Sequence, residues 1–208
     1  MIIEKIKRDK CHTAKLTLSN KKEVNIDVDV CTQFSLFCGM EIDEGKLKEL
    51  IATSDYVRCK NRALWYLDRM PRTEKNLKEK LKNAGFSAET VLKVTEKLKE
   101  YSLVDDVSYA QNFLLKCESQ NLSRRQIYCK MIEKGLPRAI IEDTLGEKRE
   151  SETQKIAALI EKKYKNKLDT KESKEKVFAS LIRKGFSFGD VKNAISHFCE
   201  SDEFYGEY

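Results

Sequence analysis

Proline and glycine are scarce in this chain of 208 residues, with 2 and 8 copies, which argues against long flexible linkers and for a mostly helical protein. Long apolar runs are missing too. None approaches the ~20 residues that a membrane span needs. The first residues, MIIEKIKRDK, lack the apolar core and cleavage site of a signal peptide, so the expected compartment is the cytoplasm. Cysteines number 7, an odd count with no C-x-x-C, and they read as small apolar residues in a reducing compartment. Cys11 and His12 are adjacent, but no second ligand pair stands at zinc-like spacing. Neither of the 2 histidines has a nucleophile and an orienting acid at meaningful spacing. Phosphate loop, nucleophile elbow and metal motif are all absent from the sequence. The reading therefore assigns no catalytic residue, no cofactor and no metal.

Charge is abundant. Charged residues make up 36% of the chain against 40% hydrophobic, enough apolar content for a core beneath an unusually charged surface. The net charge of +6 permits contact with nucleic acid or with an acidic protein and demands neither. Most of the 40 basic residues face 34 acidic ones and read as a solvated surface.

The strongest pattern is a repeat of 50 residues, marked by Gly85, Gly135 and Gly185. Eight positions before each glycine stand Leu77, Ile127 and Val177; four before stand Leu81, Met131 and Leu181. Just after it come Phe86, Leu136 and Phe186, and six after it Val91, Ile141 and Val191. Each copy opens on Thr73, Ser123 or Ser173, where an N-cap oxygen would satisfy a free backbone N–H. The spacing predicts a helix, a glycine at a left-handed C′ position, and a second helix opening at Ser87, Pro137 or Ser187. A further helix precedes each pair. In repeat one it spans 55–69, with Cys59, Ala63, Leu64 and Leu67 inward. In repeat two Asp105 and Asp106 cap a run with Val107, Ala110, Phe113, Leu114 and Cys117 on one face, and in repeat three Ile156, Leu159, Ile160 and Tyr164 take that place before a polar loop, 165–172. The fold expected is mainly α: three tandem three-helix repeats in an elongated array, each too small to be stable alone.

The first 42 residues obey a different period. Ala14, Leu16 and Leu18 alternate with polar residues, residues 19–22 form a turn, and Val24, Ile26, Val28 and Val30 alternate again. This predicts a β-hairpin, with a third strand over 2–7, followed by a short helical turn within 32–39 and a helix capped by Asp43 with Leu47, Leu50 and Ile51 inward. The domain boundaries expected are 1–53 for the hairpin region and short helix, 54–101, 102–150 and 151–208 for the repeats, with 147–153 a charged link and the acidic, aromatic tail SDEFYGEY a frayed end or a small docking segment, fraying being the favoured reading.

Several of these residues together resemble a known family. Ala63-Leu64-Trp65-Tyr66-Leu67, Arg69, Arg72, Thr73-Glu74, Leu77, Leu81 and Gly85-Phe86 are similar to the first repeat of the RecX family of recombination regulators. Leu103-Val104-Asp105-Asp106 with Tyr109-Ala110 resembles that family's next signature, and Lys134-Gly135-Leu136 and Arg183-Lys184-Gly185-Phe186 resemble its later repeats. The front hairpin with Asp29-Val30, Phe34, Leu36 and Gly39 resembles the N-terminal extension of its longer members. Two departures stand in repeat two: Asn121-Leu122 where the family has a glycine, and Lys130-Met131 where it has Glu-Leu. The resemblance implies a monomeric, non-enzymatic regulator. It would bind the RecA recombinase filament on single-stranded DNA, with the DNA inside as a further contact. It would block the filament's growth or promote its disassembly, lowering ATP hydrolysis, strand exchange and repressor cleavage.

Candidate contacts are Arg69 and Arg72 in repeat one, Arg124 and Arg125 at the matching place in repeat two, and Lys174, Lys176, Arg183 and Lys184 in repeat three. Basic residues recurring near one edge of each unit would make a stripe, while the plainer reading is ordinary helix-surface charge. Trp65, the one tryptophan, reads as core or inter-repeat packing, and Asp105 and Asp106 as helix cap and dipole partners. Two other functions stay open: an independent helix-turn-helix-like DNA binder, which predicts salt-steep duplex binding without a partner, and a passive helical scaffold. The outward residues of the helix from 87 to 101 (Glu89, Lys93, Glu96, Lys97) make a poor base-reading surface.

Overall fold

The structure, a computed structural model, describes residues 1–9, 12–146, 152–164, 168 and 170–203, the last five of these for the backbone only. Two compact units divide the chain, Met1–Asp105 and Asp106–Tyr208.

The first unit opens with an antiparallel sheet, β1 (Ile3–Arg8), β2 (Thr13–Leu18) and β3 (Glu23–Asp27), in sequence order. The alternation in β2 sends Ala14, Leu16 and Leu18 into the core, with Leu16 opposite Ile6 on one side and Val24 on the other. The apolar alternation continues past residue 27, but the strand does not. The Asp27 carboxylate accepts the N–H of Asp29 at 2.9 Å and starts a helix, α1 (Val28–Gln33), so Val28 and Val30 leave the strand that their spacing predicts. The helical turn expected within 32–39 is displaced with it: α1 ends at Gln33 and the chain then runs through positive φ at Ser35 and Gly39.

The next helix, α2 (Glu44–Arg69), is capped by Asp43, whose carboxylate accepts the Lys46 N–H at 2.6 Å. It runs unbroken through residues 53 and 54, where a boundary between hairpin region and repeat one is expected. No glycine or proline stands between positions 46 and 70. Ser54, which could have begun a new helix, is buried and accepts the Asp27 N–H at 2.8 Å instead. The N-terminal half of α2 closes the sheet's core with Leu47 and Leu50; the C-terminal half carries Cys59 and Ala63 into the core of repeat one. Pro71 ends it by holding Met70 extended.

Repeat one adds α3 (Glu74–Asn83) and α4 (Ala88–Glu100), capped by Thr73 and Ser87. At Gly85 the backbone takes φ +92°, and the N–H of Phe86 folds back to the Leu81 carbonyl at 3.3 Å. That closing bond ends α3 and lays α4 across it, burying Leu77, Leu81, Val91, Val94 and Leu98 together.

The second unit contains α5 (Asp106–Glu118), α6 (Arg124–Glu133) and α7 (Arg138–Leu145), then α8 (Glu152–Leu159), a π-helical turn (Ile160–Tyr164), α9 (Lys171–Arg183) and α10 (Phe188–Glu203). Gly135 and Gly185 repeat the left-handed turn at φ +84° and +83°, with Leu136 and Phe186 bonded back to Met131 and Leu181. Asn121, standing where the family resemblance expects glycine, takes φ +52° after α5, a conformation that asparagine reaches more readily than most residues. Repeat three departs from the expected cap. Thr170, not Ser173, is the N-cap of α9; its hydroxyl accepts the Ser173 N–H at 3.3 Å, and the helix starts a turn earlier than in the other copies. Val107, expected inward, is 43% exposed in the first turn of α5, whereas Ala110 and Cys117 are buried. The link expected over 147–153 falls mostly outside the described residues, although Glu152 and Thr153 already belong to α8. In the tail, helix continues to Glu203 and 204–208 lie outside the described residues. No described helix is long and apolar enough to cross a membrane.

Leu81 and Leu181 are fully buried at matching places in two separate cores, so replacing either with alanine is expected to cost about 2–5 kcal/mol in urea unfolding. Gly85→Ala and Gly185→Ala share a left-handed penalty of about 1–2 kcal/mol. A methyl at 85 meets nothing within 4 Å, whereas one at 185 would stand 3.0 Å from the Ser123 hydroxyl, so Gly185→Ala is expected to be the more destabilising of the two. Burial, then the Asp55 charge, pushes the Cys59 thiol from 9.0 up to about 11. At pH 8, peptide-resolved labelling should modify exposed Cys38 and Cys129 and spare Cys59 until the chain unfolds. Because the folded state resists ionising Cys59, its contribution to stability holds below pH 9 and is lost as pH rises from there through about 11.

Candidate partner-binding surface

The eight basic residues singled out from the sequence do different jobs. Arg72 and Arg124 flank helix caps, one just before Thr73 and the other just after Ser123, and both reach back to helix C-termini. Arg72 donates to the Tyr66 carbonyl in the last turn of α2 at 3.4 Å and to the Asn76 side chain on α3 at 3.0 Å. Arg124 donates to the carbonyls of Leu145, at 2.9 Å, and Gly146, closing the end of α7. Each guanidinium thus satisfies carbonyls that a helix end leaves without partners. These two arginines are half-buried braces as well as surface charges.

Arg125, Lys176 and Arg183 are exposed, while Lys174 and Lys184 are half-buried. Arg183 lies along its own helix, donating to the Ala179 carbonyl at 3.3 Å. The second unit brings repeats two and three together at this place. The Ser123 hydroxyl accepts the Gln126 N–H as an N-cap and donates to the Lys184 carbonyl at 2.5 Å. The absence of a side chain on Gly185 lets it approach Arg125, whose Cβ would lie 3.2 Å from an added methyl. Arg125 and Lys184 are therefore neighbours, although 59 residues separate them in sequence. The Arg124 N–H also donates to Glu152 at the start of α8, at 2.7 Å. A cleft of about 1520 Å³ opens here, lined by Arg124, Arg125, Glu142, Glu152, Lys155 and Asp190 among others. Its mixed charge is partly spent internally, as in the Lys155–Glu118 pair at 3.6 Å.

Arg69 is exposed in the first unit, its guanidinium carbon 3.7 Å above the ring centre of Trp65. Trp65 itself is 43% exposed, not in the core where its sequence pattern places it. Its position on α2 falls between the stripe that buries Cys59 and Ala63 and the solvent side. Arg62 stands 5.5 Å from the same ring, and Tyr66 meets it edge-on at 5.3 Å. Sequence reasoning missed this cluster; Arg62, Trp65 and Arg69, spaced by three and four, were the signal that could have found it.

Several charges on α3 and α4 are paired. Glu74 is held below the usual carboxylate range by hydrogen bonds from Lys78 and Lys99, at 2.5 and 2.7 Å. On α4, Lys93 pairs with Glu89 at 2.8 Å and Lys97 with Glu100 at 2.7 Å, leaving those side chains tied along the helix rather than extended toward bases. Asp106 lies in the first turn of α5, the place expected for a dipole partner. His12, Asp27 and Asp29 bring one ligand-type atom each within 4.8 Å of one another. One oxygen of that group caps α1 and another pairs with His12 at 3.2 Å, which gives the cluster a structural role. Cys11 lies outside the described residues.

Comparison with known proteins accords with this architecture. Residues 59–98 match the family described as "RecX, first three-helix domain", and residues 150–195 match "RecX, third three-helix domain". The chain is 34% identical over 187 residues to a protein of Streptococcus gordonii named "Regulatory protein RecX", covering 88% of this chain and 71% of that one. It is 33% identical over 203 residues to the protein of the same name from Finegoldia magna, covering 94% and 98%. A solved structure described as "Crystal structure of regulatory protein RecX" superposes with a TM-score of 0.67 at 26% identity, over 92% of this chain and 97% of that one. RecX from Lactobacillus salivarius gives 0.63 at 25% identity, over 70% and 97%. With the repeats in place and similarity running nearly end to end, this chain belongs to the RecX family of regulatory proteins.

Proposed function

We propose that the chain is a cytoplasmic, monomeric regulator that binds the RecA recombinase filament on single-stranded DNA and inhibits or disassembles it. Recombinase ATP hydrolysis, strand exchange and co-protease activity fall as a result. The chain acts by binding and not by catalysis. The observation that carries this reading is the similarity to proteins named "Regulatory protein RecX" across the three-helix repeats and the N-terminal region together. The four domain segments, 1–53, 54–101, 102–150 and 151–208, serve as successive contact modules in this reading.

The eight basic residues contribute unequally. Arg69, Arg125, Lys176 and Arg183 are exposed and act as direct contacts; Lys174 and Lys184 support them from half-buried positions. Arg72 and Arg124 contribute mainly by holding helix ends in place, with their remaining N–H donors turned to the partner. The alternative of an independent helix-turn-helix DNA reader has little support in α4, where the Lys93–Glu89 and Lys97–Glu100 pairs occupy the outward charges.

Titrating the protein into recombinase hydrolysing ATP on single-stranded DNA tests the proposal. Hydrolysis is expected to fall. A fall well below one copy per recombinase subunit indicates end-capping, and a fall only near equal stoichiometry indicates coating of the groove. Hydrolysis that never changes, in a protein that still binds naked DNA, would leave the DNA-binding reading in its place. The double variant Arg69→Ala with Arg125→Ala should weaken inhibition while the melting temperature stays close to wild type. Arg72→Ala should instead lower stability by about 1–2 kcal/mol, because it leaves a helix-end carbonyl without its donor.

A further inference from the structure

On the C-terminal half of α2, Arg58, Arg62, Trp65 and Arg69 follow a spacing of four, three and four, which aligns them along one ridge. The ridge is about 16 Å long at the rise of an α-helix. From Arg58 to Arg72 the chain carries five cations (Arg58, Lys60, Arg62, Arg69, Arg72) and one carboxylate, Asp68. Arg58 is 3.6 Å from Asp55. Among the described residues, no carboxylate lies within 4.0 Å of Arg62, Arg69, Arg72 or Lys80. That contrasts with Lys78, Lys93, Lys97 and Lys99 of the same unit, all of which have acidic partners.

The four cations Arg62, Arg69, Arg72 and Lys80 gather around two aromatic rings. Arg69 stacks on Trp65 and Arg62 lies beside it; Arg72 and Lys80 stand 5.5 and 5.6 Å from the ring of Tyr66. Stacking uses the flat face of a guanidinium and leaves its in-plane N–H donors for an anion. The indole is nearly half exposed on α2, and the cleft beside Arg124 does not include it. Anchors between proteins concentrate their energy where they fill a well-packed pocket. An unpaired base asks only for a flat face to stack on, with cations to follow its phosphates. A duplex keeps its base faces stacked inside.

We propose that this ridge is a platform for single-stranded nucleic acid, with Trp65 stacking a base and Arg62 and Arg69 holding the adjoining phosphates. The platform deepens the filament reading and rests on it for its biological setting; the physical contact requires no recombinase.

Trp65 is the protein's one tryptophan, so its fluorescence reports on this surface alone. Titrating the full chain with short oligothymidine at low salt should quench that emission saturably. Against log salt, log affinity should fall along a line, and removing one phosphate-holding cation, as in Arg62→Ala, should flatten its slope by about 0.7. Anisotropy of a labelled oligonucleotide should show Trp65→Ala binding about 5-fold to 150-fold more weakly, the range expected for one base stack, with Trp65→Phe recovering part of the affinity. Circular dichroism melting of both variants, at an exposed position, should match wild type.

Three results would overturn the platform: no quenching, equal quenching by polyglutamate at the same charge concentration, or equal affinity for a duplex of the same length. Polyglutamate would mark an acidic-protein docking surface, and the duplex would mark plain charge attraction. Absence of quenching in a protein that still inhibits recombinase ATP hydrolysis defeats the platform and spares the filament reading. Quenching without inhibition does the reverse.

Discussion

Each repeat turns on a backbone conformation that most residues avoid. At Gly85, Gly135 and Gly185 the chain enters positive φ, and the next residue bonds back to the carbonyl five positions earlier. That one turn ends a helix, folds an apolar side chain back under it and sets the direction of the next helix. The buried positions eight and four before the glycine and six after it can meet only because of it. Asn121 performs a similar turn after α5 and Ser102 after α4, both at positive φ and both with the following residue bonded back into the helix. The 50-residue period is thus a period of left-handed turns, with apolar positions fixed relative to them.

Where such a turn brings two repeats close, the fold uses the missing side chain again. Gly185 sits against Ser123 and Arg125, and the Ser123 hydroxyl bonds both within its own helix and to the Lys184 carbonyl of the next repeat. A cap that starts one helix is also the acceptor-satisfying donor for the end of another. The basic residues beside the caps share this logic. Arg72 and Arg124 stand next to Thr73 and Ser123, and each reaches the carbonyl end of a helix that packs nearby. Such positive groups suit helix C-termini because they meet both the free carbonyls and the negative end of the dipole.

Periodicity made the helices and turns legible because both ends of each helix are set by local chemistry: a hydroxyl or carboxylate at one end, a left-handed residue at the other. Legibility failed where two local signals competed. The apolar alternation past β3 read as strand, but Asp27 offered a helix cap and the cap won. A boundary was expected at 53 and 54, yet the Ser54 hydroxyl accepts the Asp27 backbone N–H and α2 runs on. Thr170 and Ser173 both suit a cap three residues apart; the earlier one captured the later one's N–H and lengthened α9 by a turn. In each case the deciding partner was either distant in sequence or an equally good neighbour, and spacing within one copy of the repeat carries neither fact.

The surface was less legible than the core for a related reason. A basic residue in sequence is only a charge; its role depends on which acceptors come within reach after folding. Arg124 finds two backbone carbonyls, and Arg69 finds an aromatic face. Lys97 and Lys99 are two residues apart on α4 and reach Glu100 and Glu74 respectively. These environments sort the same residue type into braces, paired surface charges and cations still open to a partner. Arg62 and Arg69 of the last group stand around Trp65, on the part of α2 beyond the sheet, where the helix has finished supporting the N-terminal region. A helix long enough to serve two cores carries there the aromatic and cationic side chains that neither core consumes.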